Sequence, residues 1–304
     1  MAGSALIELS NQLADAVEGA ARYVLQVRGR RWRPAAGVVF ADRRVLAADH
    51  AVEQDEDLTV RTHDGRVLAA TVAGRDPSSD LAVLEVADLT VQPAAPSPAS
   101  PRVGQLAIAV GRSWSGAVIA GSGVISSVGG PWRTGRGPGV EQVIRTDITP
   151  YAGFTGGALL AADGSLLGVA SGILLRGLSL AIPAAIAWPL AQGLARHGGV
   201  RRAFLGIAGQ PVRLSEAQHP GVRTRGILVV NVADDSPAHG AGLMVGDVLL
   251  SLDGQPTEDP DALLSLLTAD LVDRAVRVEI LRAGKSQTLE VRLRSGETHT
   301  RDRE

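Results

Sequence analysis

The feature that most constrains this chain is a series of short β-branched runs between Arg30 and about Gly177, each ended by a Gly, Asp-Gly or Pro turn. Runs such as AAGVVF, RRVLAA, LAVLEV, QLAIAV and EQVIRT are too short for stable helices and too apolar for loops. Strands at this spacing predict an all-β sandwich or barrel. The segment Val91 to Pro101, VQPAAPSPASP, cannot pair as a central strand, because its prolines remove ladder donors and fix φ. It reads as a surface crossover between two halves of the β domain.

At 304 residues the chain is long for one domain and comfortable for two. From Pro183 to Leu194 the pattern turns helical and Ala/Leu-rich, and His197-Gly-Gly then breaks it. Beyond that boundary FLGIAGQPV, GILVVNV, GDVLLSLDG, AVRVEILRAG and SQTLEVRLR supply strands, and a helix entered through Asp259-Pro260 runs to about Leu267. The expected division is an amphipathic N-terminal helix over 1–28, a β domain over 29–195, a compact α+β domain over 200–294 and a polar, disordered tail over 295–304.

Charge and residue usage narrow the chemistry. With 30 Lys and Arg against 32 Asp and Glu, no basic field is available for nucleic acid or anionic membranes. Cysteine is absent, so thiol catalysis and cysteine-bound zinc are excluded. The six His are scattered without an HExxH or paired spacing, so no metal and no cofactor is expected. Ser4 to Val27 carries Glu8, Asp15 and Glu18 within its apolar spacing, so it fails both as a membrane span and as an export signal. That reading places the protein in the cytoplasm.

Three segments of the β domain carry possible chemistry. RRVLAADHAV sets His50 where a strand passes into a turn, and GRDPSSDLAVLEV sets Asp80 directly before a buried-looking strand. TDITPYAGFTGGALL sets Thr155 in a glycine-dense turn, where Gly153, Gly156 and Gly157 allow amides to converge beside a hydroxyl. Each alone is weak, since a His at a strand end or an Asp before one is most often structural. An α/β-hydrolase elbow at Gly153–Gly157 is disfavoured because a hairpin pattern follows it, where that motif needs a helix, and because both partners precede it. The run GSGVISSVGG at 121–130 lacks the helix and Lys of a phosphate loop and reads as a strand pair.

Together the three segments resemble the triad blocks of trypsin-like serine proteases of the HtrA (Deg) family. LAADHAV is similar to TAxHV, DPSSDLAVL to DxxxDLAVL, YAGFTGGAL to NPGNSGGPL, and SLAIP at 179–183 to FAIP. The resemblance implies a mainly β fold, a chymotrypsin-like double β-barrel, with the site between the barrels. It implies His50 as general base, Asp80 fixing its tautomer, and an oxyanion hole on the Gly153-Phe154-Thr155 backbone, with the amides of Gly153 and Thr155 as donors. It departs from the family at the nucleophile, where Thr155 replaces Ser, and at Ala152 and Ala158, which replace prolines. The Thr β-methyl restricts χ1 beside the attacking oxygen, so a protease and a peptide-binding pseudoprotease both follow from these residues. Apolar Ile173, Leu174 and Leu180 suggest small or aliphatic specificity.

The segment RGILVVNVADDSPAHGAGLMVGDVLLSLDGQPTEDPDALLSLL resembles a PDZ domain. In that resemblance Phe204, Leu205, Gly206 and Ile207 form the loop that takes a peptide C-terminus. The implied partners are unfolded or C-terminally exposed polypeptides, in protein quality control, and the implied assembly is a homotrimer.

Overall fold

In the computed structural model the chain divides into two compact units, Met1–Gly199 and Val200–Glu304. The structure describes residues 2–29, 33–53, 57–130, 140–171, 179–199, 203–215 and 224–295. The disordered tail expected over 295–304 lies outside the described residues except for Ser295, which pairs with Ala203.

The first unit opens with helix α1 (Ala2–Ala21). The sequence reading extends a helix to residue 28, but Val24–Arg28 is strand β1. The run Val24-Leu25-Gln26-Val27 continues the apolar pattern of the helix, and period alone cannot separate a short buried strand from another helical turn. Pairing decides it, because β1 lies between β2 (Ala35–Ala41) and β4 (Thr59–Arg61) with all four of those residues buried.

With β3 (Arg44–Ala48), β5 (Val67–Ala69), β6 (Thr71–Asp76) and β7 (Leu81–Glu85) these strands form one sheet in the order β5-β4-β1-β2-β3-β7-β6. Its two edge strands are consecutive in the chain, joined only through Ala70, so the sheet must roll until its edges meet. Ala70 is buried and its N–H donates to the Leu58 carbonyl at 2.9 Å. The rolled sheet encloses Leu25, Val39, Val45, Val60 and Leu84.

The crossover from Val91 to Pro101 contains no strand, only an isolated bridge at Pro96. It leads to β8 (Leu106–Arg112), β9 (Val118–Gly129), β10 (Val143–Thr146), β11 (Ala158–Ala161), β12 (Leu166–Ser171) and β13 (Ser179–Pro183). These close into a barrel in the order β10-β13-β12-β11-β8-β9 around Ala109, Ile125, Ile144 and Leu159. GSGVISSVGG, apart from its last Gly130, is part of the single long strand β9, which pairs with both β8 and β10, where a strand pair was expected. Helix α2 (Ala184–His197) buries Ala187, Trp188, Ala191 and Leu194, and the Trp188 ring meets Phe40 edge-on at 6.1 Å. Gly198, at φ 75°, ends it in the left-handed conformation, with its N–H on the Leu194 carbonyl.

In the second unit β15 (Ile207–Arg213), β16 (Arg225–Val232), β17 (Val248–Leu252), β19 (Ala275–Arg282) and β20 (Lys285–Arg292) form the sheet in that order, and β18 (Gln255–Pro256) pairs beside β17. A two-residue strand, β14 (Ala203–Phe204), pairs with β21 (Arg294–Ser295). Helices α3 (Pro237–Gly240) and α4 (Pro260–Leu266) begin with proline behind Ser236 and Asp259 caps. The α4 start falls where Asp259-Pro260 predicts it. Val229, Leu249, Val278, Ile280 and Val291 fill the core.

Candidate active site

The antiparallel pair β3–β7 brings the first two residues together. Its last register places Ala48 opposite Leu81, so the residue two beyond Ala48 and the residue one before Leu81 emerge at the same end. Those residues are His50 and Asp80, 30 positions apart in sequence. His50 Nδ1 lies 2.7 Å from Asp80 Oδ1, and the same oxygen accepts the His50 N–H at 3.1 Å.

Asp80 is held from several sides. Its backbone is left-handed, at φ 59°, a conformation Asp tolerates better than most residues. Its carbonyl accepts the Asp49 N–H at 3.1 Å. Its second carboxylate oxygen accepts Ser171 Oγ at 2.6 Å, from the end of β12. The carboxylate side chain is 0% exposed, whereas the imidazole keeps 18% exposure. Such burial of an acceptor is tolerable only because both oxygens are hydrogen-bonded.

Thr155 reaches this site through the turn before β11. Its carbonyl accepts the Ala36 N–H of β2 at 2.8 Å, which ties the turn to the first sheet. Gly156 approaches the same strand so closely that a Cβ would lie 2.1 Å from the Ala36 carbonyl. Thr155 and Ala152 then share a small cleft of about 90 Å³ with His50, Ala51 and the segment Arg33-Pro34-Ala35. Among the described residues no hydrogen bond joins His50 to Thr155. The three residues therefore share one cleft, but only His50 and Asp80 are directly bonded.

The turn also sets the amides beside Thr155. Gly153 adopts φ 107°, and its carbonyl accepts the Arg112 N–H at 3.0 Å. Gly157 N–H donates to the Phe154 carbonyl at 2.8 Å. Phe154 N–H donates to the Tyr151 carbonyl at 3.1 Å, and the two rings pack edge-on at 5.7 Å. The Phe154 amide is thus engaged, while Gly153 N–H and Thr155 N–H have no acceptor among the described residues. Behind the turn, the guanidinium of Arg112 donates to the carbonyls of Ala21, Val24 and Gly116. Burial, and secondarily the charge of Arg61, lowers its pKa from the usual value.

The residue that sequence reasoning missed is Ser171. It lies 91 positions from Asp80 in an apolar run, and its only sequence signal is a hydroxyl at a strand end. Of the residues expected to set specificity, Leu180 is buried in β13, and Ile173 and Leu174 lie outside the described residues. Among the described residues no group of three acidic or His side chains converges to hold a metal.

In the second unit, Phe204 is exposed and Leu205 buried. Gly206 stands at φ 89°, where a Cβ would lie 2.2 Å from the Ser236 Cβ. The carbonyls of Leu205 and Gly206 accept the N–H groups of Ala238 and Ala233, but the loop's own Leu205 and Gly206 N–H groups donate to nothing described. The loop leads into β15, an edge strand with α4 beside it. This combination of free amides and an open sheet edge suits an added peptide strand.

Comparison with known proteins agrees with both units. The trypsin-like peptidase domain family matches residues 35–169, and the PDZ domain family residues 203–293. Serine endoprotease DegS of Escherichia coli (strain K12) is 31% identical over 273 residues, spanning 84% of this chain and 75% of that protein. The chain belongs to the HtrA family of serine endoproteases. A probable periplasmic serine endoprotease, DegP-like, of Pseudomonas fulva (strain 12-X) is 34% identical over 262 residues, 84% of this chain and 54% of the relative. The chain thus spans about half the length of that HtrA relative. The solved structure of the HtrA-type protease AlgW with a decapeptide matches with a TM-score of 0.76 at 25% identity, over 94% of this chain and 99% of that one.

The periplasmic description corrects the cytoplasmic expectation and points to an extracytoplasmic location. That expectation rested on charges within the first apolar residues, and the composition of a folded helix does not record where a chain is delivered. Among the described residues no helix is long and apolar enough to cross a membrane.

Proposed function

We propose that this HtrA-family chain is an endopeptidase of extracytoplasmic, unfolded or C-terminally exposed polypeptides, with Thr155 as nucleophile and the PDZ loop as the peptide C-terminus receptor. The observation that carries this reading is the His50–Asp80 pair, bonded at 2.7 Å and opening on the same cleft as Thr155. Asp80 holds Nδ1 in its protonated form, which leaves Nε2 as the basic nitrogen. Thr155 Oγ1 gives its proton to Nε2 as the oxygen attacks the scissile carbonyl. The resulting oxyanion is taken by the N–H groups of Gly153 and Thr155. His50 then returns the proton to the departing amine, and water releases the acyl group by the same route in reverse. Peptide capture uses the amides of Leu205 and Gly206, with the bound strand extending the β15 edge alongside Phe204 and Ile207. A homotrimer belongs to this reading, and exposed Leu6 and Ile7 on α1 offer apolar surface for a neighbouring copy.

A second reading, a pseudoprotease that holds peptides without cutting them, is favoured by the missing His50–Thr155 hydrogen bond and the added methyl group. Casein digestion and fluorophosphonate labelling of wild type, Thr155→Ser and Thr155→Ala separate the two. The endopeptidase reading expects wild type above Thr155→Ala, with Thr155→Ser higher by about 100-fold as attack geometry is restored. Wild type equal to Thr155→Ala beside an active Thr155→Ser supports the pseudoprotease. An inert Thr155→Ser defeats the assigned mechanism.

A further inference from the structure

The cleft that holds His50 and Thr155 contains a cation with no counter-ion among the described residues. Arg33 is exposed on its wall, and no hydrogen bond or ion pair engages the guanidinium among the described residues. Its wall neighbours bring no charge, since Pro34, Ala35 and Ala51 are apolar. We propose that Arg33 is a specificity-determining residue that selects an acidic side chain at the first or second position after the scissile bond.

This rests on the reading of His50 and Thr155 as base and nucleophile. The imidazole that takes the Thr155 proton must hand it to the departing amine. The polypeptide beginning with that amine therefore leaves over the His50 side of the cleft. Ala51, which follows His50, and Arg33-Pro34-Ala35 line that same cleft. Ala36, bonded to the Thr155 carbonyl, fixes the position of this segment relative to the nucleophile. Arg33 lies three positions before Ala36, a span of at most about 11 Å. Arg33 therefore lines the same small cleft as Thr155, within reach of the substrate residues that follow the reacting carbonyl. Its planar fork of donors matches a carboxylate and repels a lysine or arginine. Because Arg33 is solvent-exposed, the preference is modest, about two- to five-fold, and screened by salt.

The test uses C-terminally amidated peptides, which offer no carboxylate to the PDZ loop, identical except for Asp, Ala or Lys at each of the two positions after the cut. With Thr155→Ser as the cutting background, kcat/KM should fall in the order Asp, Ala, Lys at low salt and converge near 1 M salt. Arg33→Ala should flatten the series while retaining cleavage of the Ala peptide, and Arg33→Glu should reverse it. Cleavage with no such order, or an order unchanged by Arg33→Glu, overturns the assignment. If no peptide is cut, the Thr155 mechanism fails, and the question passes to binding by anisotropy on the wild-type chain. There Arg33→Glu must again reverse the preference, and equal affinity for Asp and Lys peptides overturns the role of Arg33.

Discussion

Ser171 Oγ donates a 2.6 Å hydrogen bond to Asp80 Oδ2, the carboxylate oxygen that His50 does not use. The elements that carry these residues belong to different sheets, β12 to the closed barrel and the Asp80 turn, which leads into β7, to the rolled one. One carboxylate therefore aligns the imidazole and pins the two halves of the protease domain at the site.

Ser171→Ala leaves Oδ2 buried without a donor, which costs about 1–3 kcal/mol. Chemical denaturation should register that loss in the protease domain. In the Thr155→Ser background, kcat should fall with little change in KM, since no substrate contact is removed. Asp80→Asn provides the contrast, because its near-identical shape retains the fold while the wrong His50 tautomer lowers kcat by about 10⁴-fold. A Ser171→Ala variant with unaltered stability and kcat would remove Ser171 from the site.

His50, Asp80 and Thr155 could be singled out as candidates because each is embedded in a local motif whose turn chemistry is written within ten residues. Ser171 could not, because its role exists only through a contact between residues 91 positions apart. Likewise β1 was read as helix, since Val24–Val27 becomes a strand only by pairing with Ala35–Val38 and Val60. In the PDZ domain Asp259-Pro260 gave the start of α4 directly, because a cap and a first-turn proline act within one turn. Closure of the first sheet through Ala70 follows from strand order, which no local pattern encodes.

Acid should weaken the PDZ domain through Asp247. Its carboxylate is buried, and Arg282 binds it at 2.7 Å through both Nε and Nη2. The Arg282 hydrogen bond, followed by the Met244 N–H, holds its pKa below the usual carboxylate value against opposing desolvation. The folded carboxylate binds a proton less readily than the unfolded one, so the unfolded chain takes up more protons between the two pKa values. The contribution is complete above about pH 3.9, the unfolded value, and is lost as pH falls through the lower folded value. Arg282→Met should cost about 1–3 kcal/mol at neutral pH and flatten the acid limb of stability against pH. Denaturant melts of the full chain from pH 2 to 7, followed by a PDZ-specific probe, measure both effects. An acid limb as steep in Arg282→Met as in wild type would assign it to other carboxylates.

The sharpest backbone test lies at Gly153. At φ 107° a side chain is strained, and an added Cβ would lie 2.2 Å from the Arg112 carbonyl. Arg112 cannot yield easily, because its own N–H holds the Gly153 carbonyl at 3.0 Å and its guanidinium is bonded to Ala21, Val24 and Gly116. Gly153→Ala must therefore move the turn, and with it the amide assigned to the oxyanion. Losing one such donor costs about 10²–10³ in kcat, and the strained backbone about 1–3 kcal/mol in stability. Gly193 in α2 is the matched control, since a Cβ there meets nothing within 4 Å. Gly193→Ala should leave activity intact and raise stability by about 0.5–1 kcal/mol through helix propensity. Measured together in the Thr155→Ser background, the two variants separate loss of the oxyanion turn from any general sensitivity of the domain to added methyl groups. Equal kcat for both would show that the Gly153 amide does not face the reacting carbonyl.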